Sequence, residues 1–347
     1  MIDDDQADLD TYDRYAEQYD PEWTARPARA GRKQQARPTP KRSRGEIVAE
    51  LAEPTGLEAG FTTSYHPARY EAAWLLDSLR LFYDEQLITD VLAQVKGGKE
   101  ASVYRCAAHP TTGEALLAAK VYRPRMFRNL RNDKMYRDGR ALLTSDGRAV
   151  KKTDHRIMRA VGKKTAFGAQ VQHTSWLMYE YTTIERLHRA GAAVPRPYAA
   201  AENAILMTYY GDERRAAPTL NEVHLAKDEA AVLFEEVLRN IELLLQHGLI
   251  HGDLSAYNIL YWQGKVVLID FPQVSDISAN SKSDFILRRD IDRVCDYFAR
   301  QGVRCDSTAI AHDLWDRYGG LAQERAALLA AEQASVLLEE AFVTEEV

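Results

Sequence analysis

Three polar residues set in apolar sequence carry the chemistry open to this chain: Asp253, Asn258 and Asp270. They lie in Leu249-Ile250-His251-Gly252-Asp253-Leu254-Ser255-Ala256-Tyr257-Asn258-Ile259-Leu260 and in Val266-Val267-Leu268-Ile269-Asp270-Phe271. The apolar flanks place the polar residues at the ends of short buried strands. A buried carboxylate needs a partner, and a divalent metal suits two acids and an amide together. Phosphoryl transfer uses such a set: a carboxylate and an amide hold magnesium against phosphate oxygens, while a second carboxylate orients the nucleophile. Asp253 is therefore the expected catalytic carboxylate, with Asn258 and Asp270 the expected magnesium ligands. His251 is expected to pack the loop rather than to carry a proton.

The step from Asp253 to Asn258 resembles the Asp-to-Asn spacing of kinase catalytic loops. The nucleotide half is then expected earlier in the chain. Gly97-Gly98-Lys99-Glu100-Ala101-Ser102-Val103-Tyr104 lies between two predicted strands, where backbone amides can approach phosphates. Alone, that segment reads better as a plain hairpin turn. Ala118-Ala119-Lys120-Val121-Tyr122 sets a lysine among apolar residues on the next strand. Lys120 is the expected contact to the α- and β-phosphates, with a helix carboxylate, Glu180 or Glu185, as its ion-pair partner.

The elements that must position these groups follow from periodicity. Ala72, Ala73, Leu75, Leu76, Leu79 and Phe82 fall at helical spacing, and order is expected to begin near Tyr65. Strands are predicted over Leu87–Val95, Ala101–Cys106 and Ala115–Tyr122, joined by turns at Gly97-Gly98 and Thr111-Thr112-Gly113. Residues 123–175 are polar and rich in arginine and lysine, with a break expected at Ser145-Asp146-Gly147. Helical patterning returns from Trp176 to Ala190, and Gly191 stops it. Pro195 and Pro197 bracket a predicted turn before a strand over Ala204–Tyr209. A long helix is predicted over Lys227–His247, with Ala231, Phe234, Val237, Leu238, Ile241, Leu244 and Leu245 on one side. Strands in front and helices behind favour an α+β, two-lobed arrangement over alternating βαβ units.

Composition is that of an ordinary soluble globular chain, 46% hydrophobic and 28% charged. No stretch approaches the ~20 apolar residues that cross a bilayer, so no membrane partner and a cytoplasmic location are expected. Cys106, Cys295 and Cys305 are widely spaced and are expected to be reduced, forming neither a disulfide framework nor a zinc site. A net charge of −6 argues against nucleic-acid binding over the whole surface. The charge is unevenly spread: residues 1–22 are acidic, while 26–45 carry Arg26, Arg29, Arg32, Lys33, Arg37, Lys41, Arg42 and Arg44 without an acid. Residues 26–45 lack apolar side chains to offset their ordering entropy, and with order beginning near Tyr65, residues 1–64 are expected to be disordered. The basic arm reads either as a contact to RNA, a ribonucleoprotein or an acidic partner, or as a solvated tail without a target.

Together these residues resemble the RIO family of atypical serine/threonine kinases, its first subfamily more than its second. Gly98-Lys99-Glu100-Ala101-Ser102-Val103-Tyr104 is similar to the RIO phosphate loop, Lys120-Val121-Tyr122 to its lysine strand, and Trp176–Leu187 to the helix that carries the paired glutamate, which falls on Glu180. Met207-Thr208-Tyr209-Tyr210-Gly211 resembles the hinge, with Met207 as gatekeeper, and Phe285–Asp290 resembles the helix behind the site. The resemblance implies a nucleotide site formed by Gly97, Gly98, Lys99, Glu100, Ser102, Val103, Lys120, Glu180, Met207 and Tyr209. It further implies ATP with magnesium, or manganese in its place, and transfer to Ser or Thr of a protein, including itself, or to water. It implies residues 65–207 as an N-terminal lobe with a long insertion, and 208–347 as a reduced C-terminal lobe without the usual activation loop or peptide-binding helices. Transient phosphorylation of Asp270 and a ribosome-assembly partner also follow from the resemblance alone. Gly97 stands where the family often has a hydroxyl residue, and Ser102 replaces an asparagine. Two other readings remain open: a small-molecule phosphotransferase resembling aminoglycoside and choline kinases, and a catalytically silent scaffold.

Overall fold

The computed structural model describes residues 63–98, 100–122, 140–151, 154–163 and 165–320. The acidic segment, the basic arm 26–45 and Lys99 lie outside the described residues.

Helix α1 (Arg69–Asp84) comes first and places Leu75, Leu79 and Phe82 on one fully buried face. That face packs on a five-stranded antiparallel sheet built from β1 (Ile88–Gly97), β2 (Ala101–Ala108), β3 (Leu116–Tyr122), β4 (Pro197–Ala200) and β5 (Ala204–Thr208). The strand order is β1-β2-β3-β5-β4. Glu71 of α1 accepts hydrogen bonds from the hydroxyls of Tyr104 on β2 and Tyr65, which ties the helix to the sheet. Successive side chains of a strand point to opposite faces. On β3, Leu117, Ala119 and Val121 therefore meet α1, while Ala118, Lys120 and Tyr122 take the other face.

That other face is covered by α3 (Ala166–Arg189), whose Trp176, Leu177 and Met178 pack on Ala118, Tyr122, Ile205 and Met207. The helix begins ten residues before the predicted start at Trp176. Its first turns lack an apolar stripe; Thr165 caps them by accepting from the Gly168 N–H at 3.1 Å, and α2 (His155–Gly162) packs against the helix. The expected turn at Pro197 is instead the first residue of β4. This strand lies at the sheet edge, where a missing N–H costs no ladder bond.

The second core surrounds α4 (Lys227–Gln246), as the periodicity predicts, with Leu233, Phe234, Val237, Ile241, Leu244 and Leu245 buried. Ala231 does not belong to that face: it is exposed, and Ala230 takes its place. Against α4 pack β6 (Leu249–Ile250), the hairpin of β7 (Ile259–Trp262) and β8 (Lys265–Leu268), and α5 (Ser283–Arg300). Strand β9 (Ser275–Asp276) pairs with β6, and a further helix, α6, starts at residue 307. Each fully buried Leu, Ile or Phe here contributes roughly 1.5–3 kcal/mol, so the loops between these elements rest on a firm base. Mixed helices and a multi-stranded sheet make the fold α+β. Among the described residues, no helix is long and apolar enough to cross a membrane.

Candidate active site

Lys120 owes its position to the alternation of β3. Its side chain leaves the α3 face of the sheet, and its Nζ lies 2.7 Å from Oε1 of Glu180, on α3. The same ammonium also pairs with Oδ1 of Asp270. Glu180 is 1% exposed and is fully engaged: Oε1 also accepts from the backbone N–H of Phe271 at 3.3 Å, and Oε2 accepts from the Tyr122 hydroxyl. Glu185, the other candidate partner, lies elsewhere on the helix and pairs with Arg189 at 2.6 Å. Burial works against a charged Lys120, but Asp270 and Glu180 together outweigh it and hold the ammonium's pKa well above its usual value. Asp270 shows the converse. Withdrawal from water opposes its charge, yet Lys120 overrides this and lowers the carboxyl's pKa. Its backbone has φ of +70°, a left-handed conformation that an aspartate adopts only where its surroundings impose it.

The loop that carries Asp253 and Asn258 follows β6. Gly252 has φ of +84°, and a Cβ there would collide with the Gln273 carbonyl, so only glycine fits. His251 is buried between two backbone groups: Nδ1 accepts from the Asp253 N–H at 3.3 Å, and Nε2 lies 3.1 Å from the Ile269 carbonyl. Its ring packs on Phe271 at 4.6 Å between centroids, and burial lowers its pKa. A neutral imidazole protonated on Nε2 satisfies both contacts. Asn258 donates Nδ2 to the Asp253 carbonyl at 2.7 Å and to Asp253 Oδ2 at 3.2 Å, leaving its amide oxygen as the atom suited to a cation. Asp253 has its pKa raised by burial, with Arg293 opposing that shift.

The other expected nucleotide contacts are unevenly placed. Val103 faces Lys120 in the β2–β3 register, and Met207 lies opposite Ala118 on β5, with Tyr209 packed against the same cluster. Gly98 closes the β1–β2 turn by donating to the Ala101 carbonyl at 2.9 Å; a Cβ there would sit 2.7 Å from that oxygen. Gly97 ends β1 opposite Ser102, and Glu100 is half-buried in the turn. Ser102 is not brought to Lys120. It is 1% exposed and opposes Val121, on the α1 face of the sheet.

The sequence reading missed four residues that converge on the site. Tyr122 holds Glu180, and Lys96, on β1 opposite Val103, adds positive potential at Asp270. Arg140 donates Nη2 to the carbonyls of Pro272 and Val274, just beyond Asp270, and lies over the Tyr179 ring. Arg293 of α5 donates Nη1 to Asp253 Oδ1 at 2.8 Å. Tyr122 belongs to the Lys120-Val121-Tyr122 motif, whose period-two alternation sets it on the same face as Lys120. Arg140 and Arg293 are charges in charged stretches and carry no such signal, and Lys96 stands just before the Gly97-Gly98 turn without a motif of its own.

Every residue of the site from Lys120 to Arg293, though not Lys96, falls inside one region of family similarity: residues 102–310, more than half the chain, match the RIO domain. The chain belongs to the RIO domain family. Among its relatives, the RIO-type serine/threonine-protein kinase Rio1 of Haloferax volcanii is 35% identical over 136 residues, covering 39% of this chain and 46% of that protein. The serine/threonine-protein kinase RIO1 of Chaetomium thermophilum is 27% identical over 250 residues, 69% of this chain and 45% of that one. The human enzyme of the same name is 26% identical over 260 residues, 72% and 42% respectively. The chain thus spans less than half the length of each of these relatives. The RIO match begins at Ser102, so Gly97, Gly98 and Glu100 precede it.

Proposed function

We propose that this RIO-domain chain transfers the γ-phosphoryl group of ATP to a Ser or Thr hydroxyl of a protein, itself included, or to water. The observation that carries the reading is the meeting of Lys120, Glu180 and Asp270 from three separate elements, beside the Asp253–Asn258 pair. Lys120 would contact the α- and β-phosphates once Asp270 is drawn away to the metal, while Glu180 keeps the ammonium in place. The donor set fits magnesium. Asp270 supplies one carboxylate and Asn258 one amide oxygen, and among the described residues no group of three or more His, Cys, Asp or Glu forms a protein-only cage. Magnesium is held through one or two protein oxygens, with phosphate oxygens and water completing its shell. When bound, it neutralises charge on the phosphates during transfer. Asp253 would accept the hydrogen bond of the acceptor hydroxyl and aim its oxygen at the γ-phosphorus. The nucleotide would lie between β1–β2 and the Met207–Tyr209 segment.

On this reading residues 65–207 act as the N-terminal lobe and 208–347 as a reduced C-terminal lobe, with the basic arm 26–45 as a contact for a ribonucleoprotein. The test is to incubate the chain and Asp253→Ala with magnesium and ATP labelled in the γ-phosphate, following label in protein and in free phosphate. Label in either pool with the wild type, and in neither with the variant, is the expected result. Label passing only to added small alcohols would replace this reading with a small-molecule phosphotransferase, and no label anywhere would remove the enzyme.

A further inference from the structure

Helix α5 holds the catalytic loop at three points. Asp290 Oδ2 accepts from the Gly252 N–H at 2.7 Å, Arg289 donates Nη2 to the Gly252 carbonyl, and Arg293 donates Nη1 to Asp253 Oδ1 at 2.8 Å. The first two fix backbone. Arg289 and Asp290 also pair with each other at 3.4 Å, with side chains only 8% and 3% exposed. They belong to the interior, together with the neighbouring core residues Ile291, Val294 and Phe298. The third contact differs in kind. It reaches a side chain rather than backbone, and its partners are 23% and 21% exposed, open to whatever occupies the site.

The consequence for Asp253 is that its two oxygens are not equivalent. Oδ1 is taken by Arg293 on one side, and Oδ2 receives only the longer 3.2 Å contact from Asn258. An aspartate held only through its backbone could tilt its carboxylate plane about the last torsion. The Nη1 bond of Arg293 to one oxygen fixes that tilt, and with it the direction in which the other oxygen points. We propose that Arg293 is a positioning residue for phosphoryl transfer, holding Oδ1 of Asp253 so that Oδ2 faces the acceptor hydroxyl. The proposal rests on the reading of Asp253 as the catalytic carboxylate. Arg289 cannot take this part, since its Nη2 is committed to the Gly252 carbonyl. A partly exposed ion pair adds little to folding, so the contact is better explained by what it does to the carboxylate than by stability.

The test compares kcat, KM for ATP and ATP affinity in the full chain and in Arg293→Gln, Arg293→Lys and Asp253→Asn, with thermal melting of each. Arg293→Gln should lower kcat by roughly 10- to 100-fold, the scale of losing alignment at a reacting group, with ATP affinity and melting unchanged. Arg293→Lys, which keeps a point charge, should recover part of that loss. A purely structural role would lower melting and kcat together, without recovery by lysine, and would overturn the proposal. Wild-type kcat in Arg293→Gln beside a lost kcat in Asp253→Asn would overturn it alone. Wild-type kcat in Asp253→Asn would overturn the reading of Asp253 and the proposal with it.

Discussion

The carboxylate of Glu180 accepts the backbone N–H of Phe271 at 3.3 Å, so the helix that neutralises Lys120 also senses the residue beside Asp270. One oxygen, Oε1, thereby links β3, α3 and the loop after β8. Glu180→Gln keeps the shape and removes the charge. Lys120 would then depend on Asp270 alone, which binds that carboxylate to the lysine and withholds it from metal. Asp270 still neutralises the buried ammonium, so the cost is that of weakened charge-assisted hydrogen bonds, about 1.5–3 kcal/mol. Chemical denaturation should show a loss of that size, and isothermal titration should show weaker binding of magnesium–ATP.

Tyr122 offers a milder test of the same cluster. Its hydroxyl donates to Oε2 of Glu180, and the ring is 1% exposed. Tyr122→Phe should destabilise the fold by about 1–3 kcal/mol, the cost of an unsatisfied buried acceptor. The Lys120–Glu180 pair would survive. ATP affinity should therefore fall far less than in Glu180→Gln, by titration under the same conditions.

Gly252 is constrained by conformation and by contact. Its φ of +84° and the Gln273 carbonyl leave no room for a side chain. Gly252→Ala should cost about 1–3 kcal/mol in backbone strain and displace Asp253, its neighbour. Urea denaturation and single-turnover kinetics should show both losses, with kcat falling more than ATP affinity.

His251 gives a pH dependence whose sign is fixed. Burial lowers its pKa in the folded state below the ordinary value of about 6.5, so the unfolded chain takes up the proton first. Its contribution to stability is present above the unfolded value and is lost as pH falls from there toward the folded one. His251→Phe would keep the ring contact with Phe271 and remove the titration. The variant should be less stable than the wild type at neutral pH, and the gap between their urea midpoints should narrow on acidification.

Much of this site was legible in the chain because its chemistry is local. Asp253 and Asn258 are fixed by a short loop, and Lys120 by the period-two alternation of β3. The same alternation moves Ser102 away, since it opposes Val121 rather than Lys120; a motif read as a string carries no face. Arg293 was hidden for a different reason. In sequence it is one of several arginines on a charged helix, and only the packing of α5 on Gly252 aims it at Asp253. The early start of α3 was hidden because its first turns are held by a Thr165 cap and by α2, not by an apolar stripe. Strand β4 was hidden because Pro197 signals a turn unless the strand is known to lie at an edge.

The most direct test measures steady-state ATP turnover and ATP affinity side by side, with magnesium, in the wild type and Asp253→Asn. If Asp253 orients the acceptor, turnover should fall by about 100-fold or more, the scale of general-base contributions, while affinity stays within a few-fold. Equal loss of both, or turnover at the wild-type rate, would contradict the account.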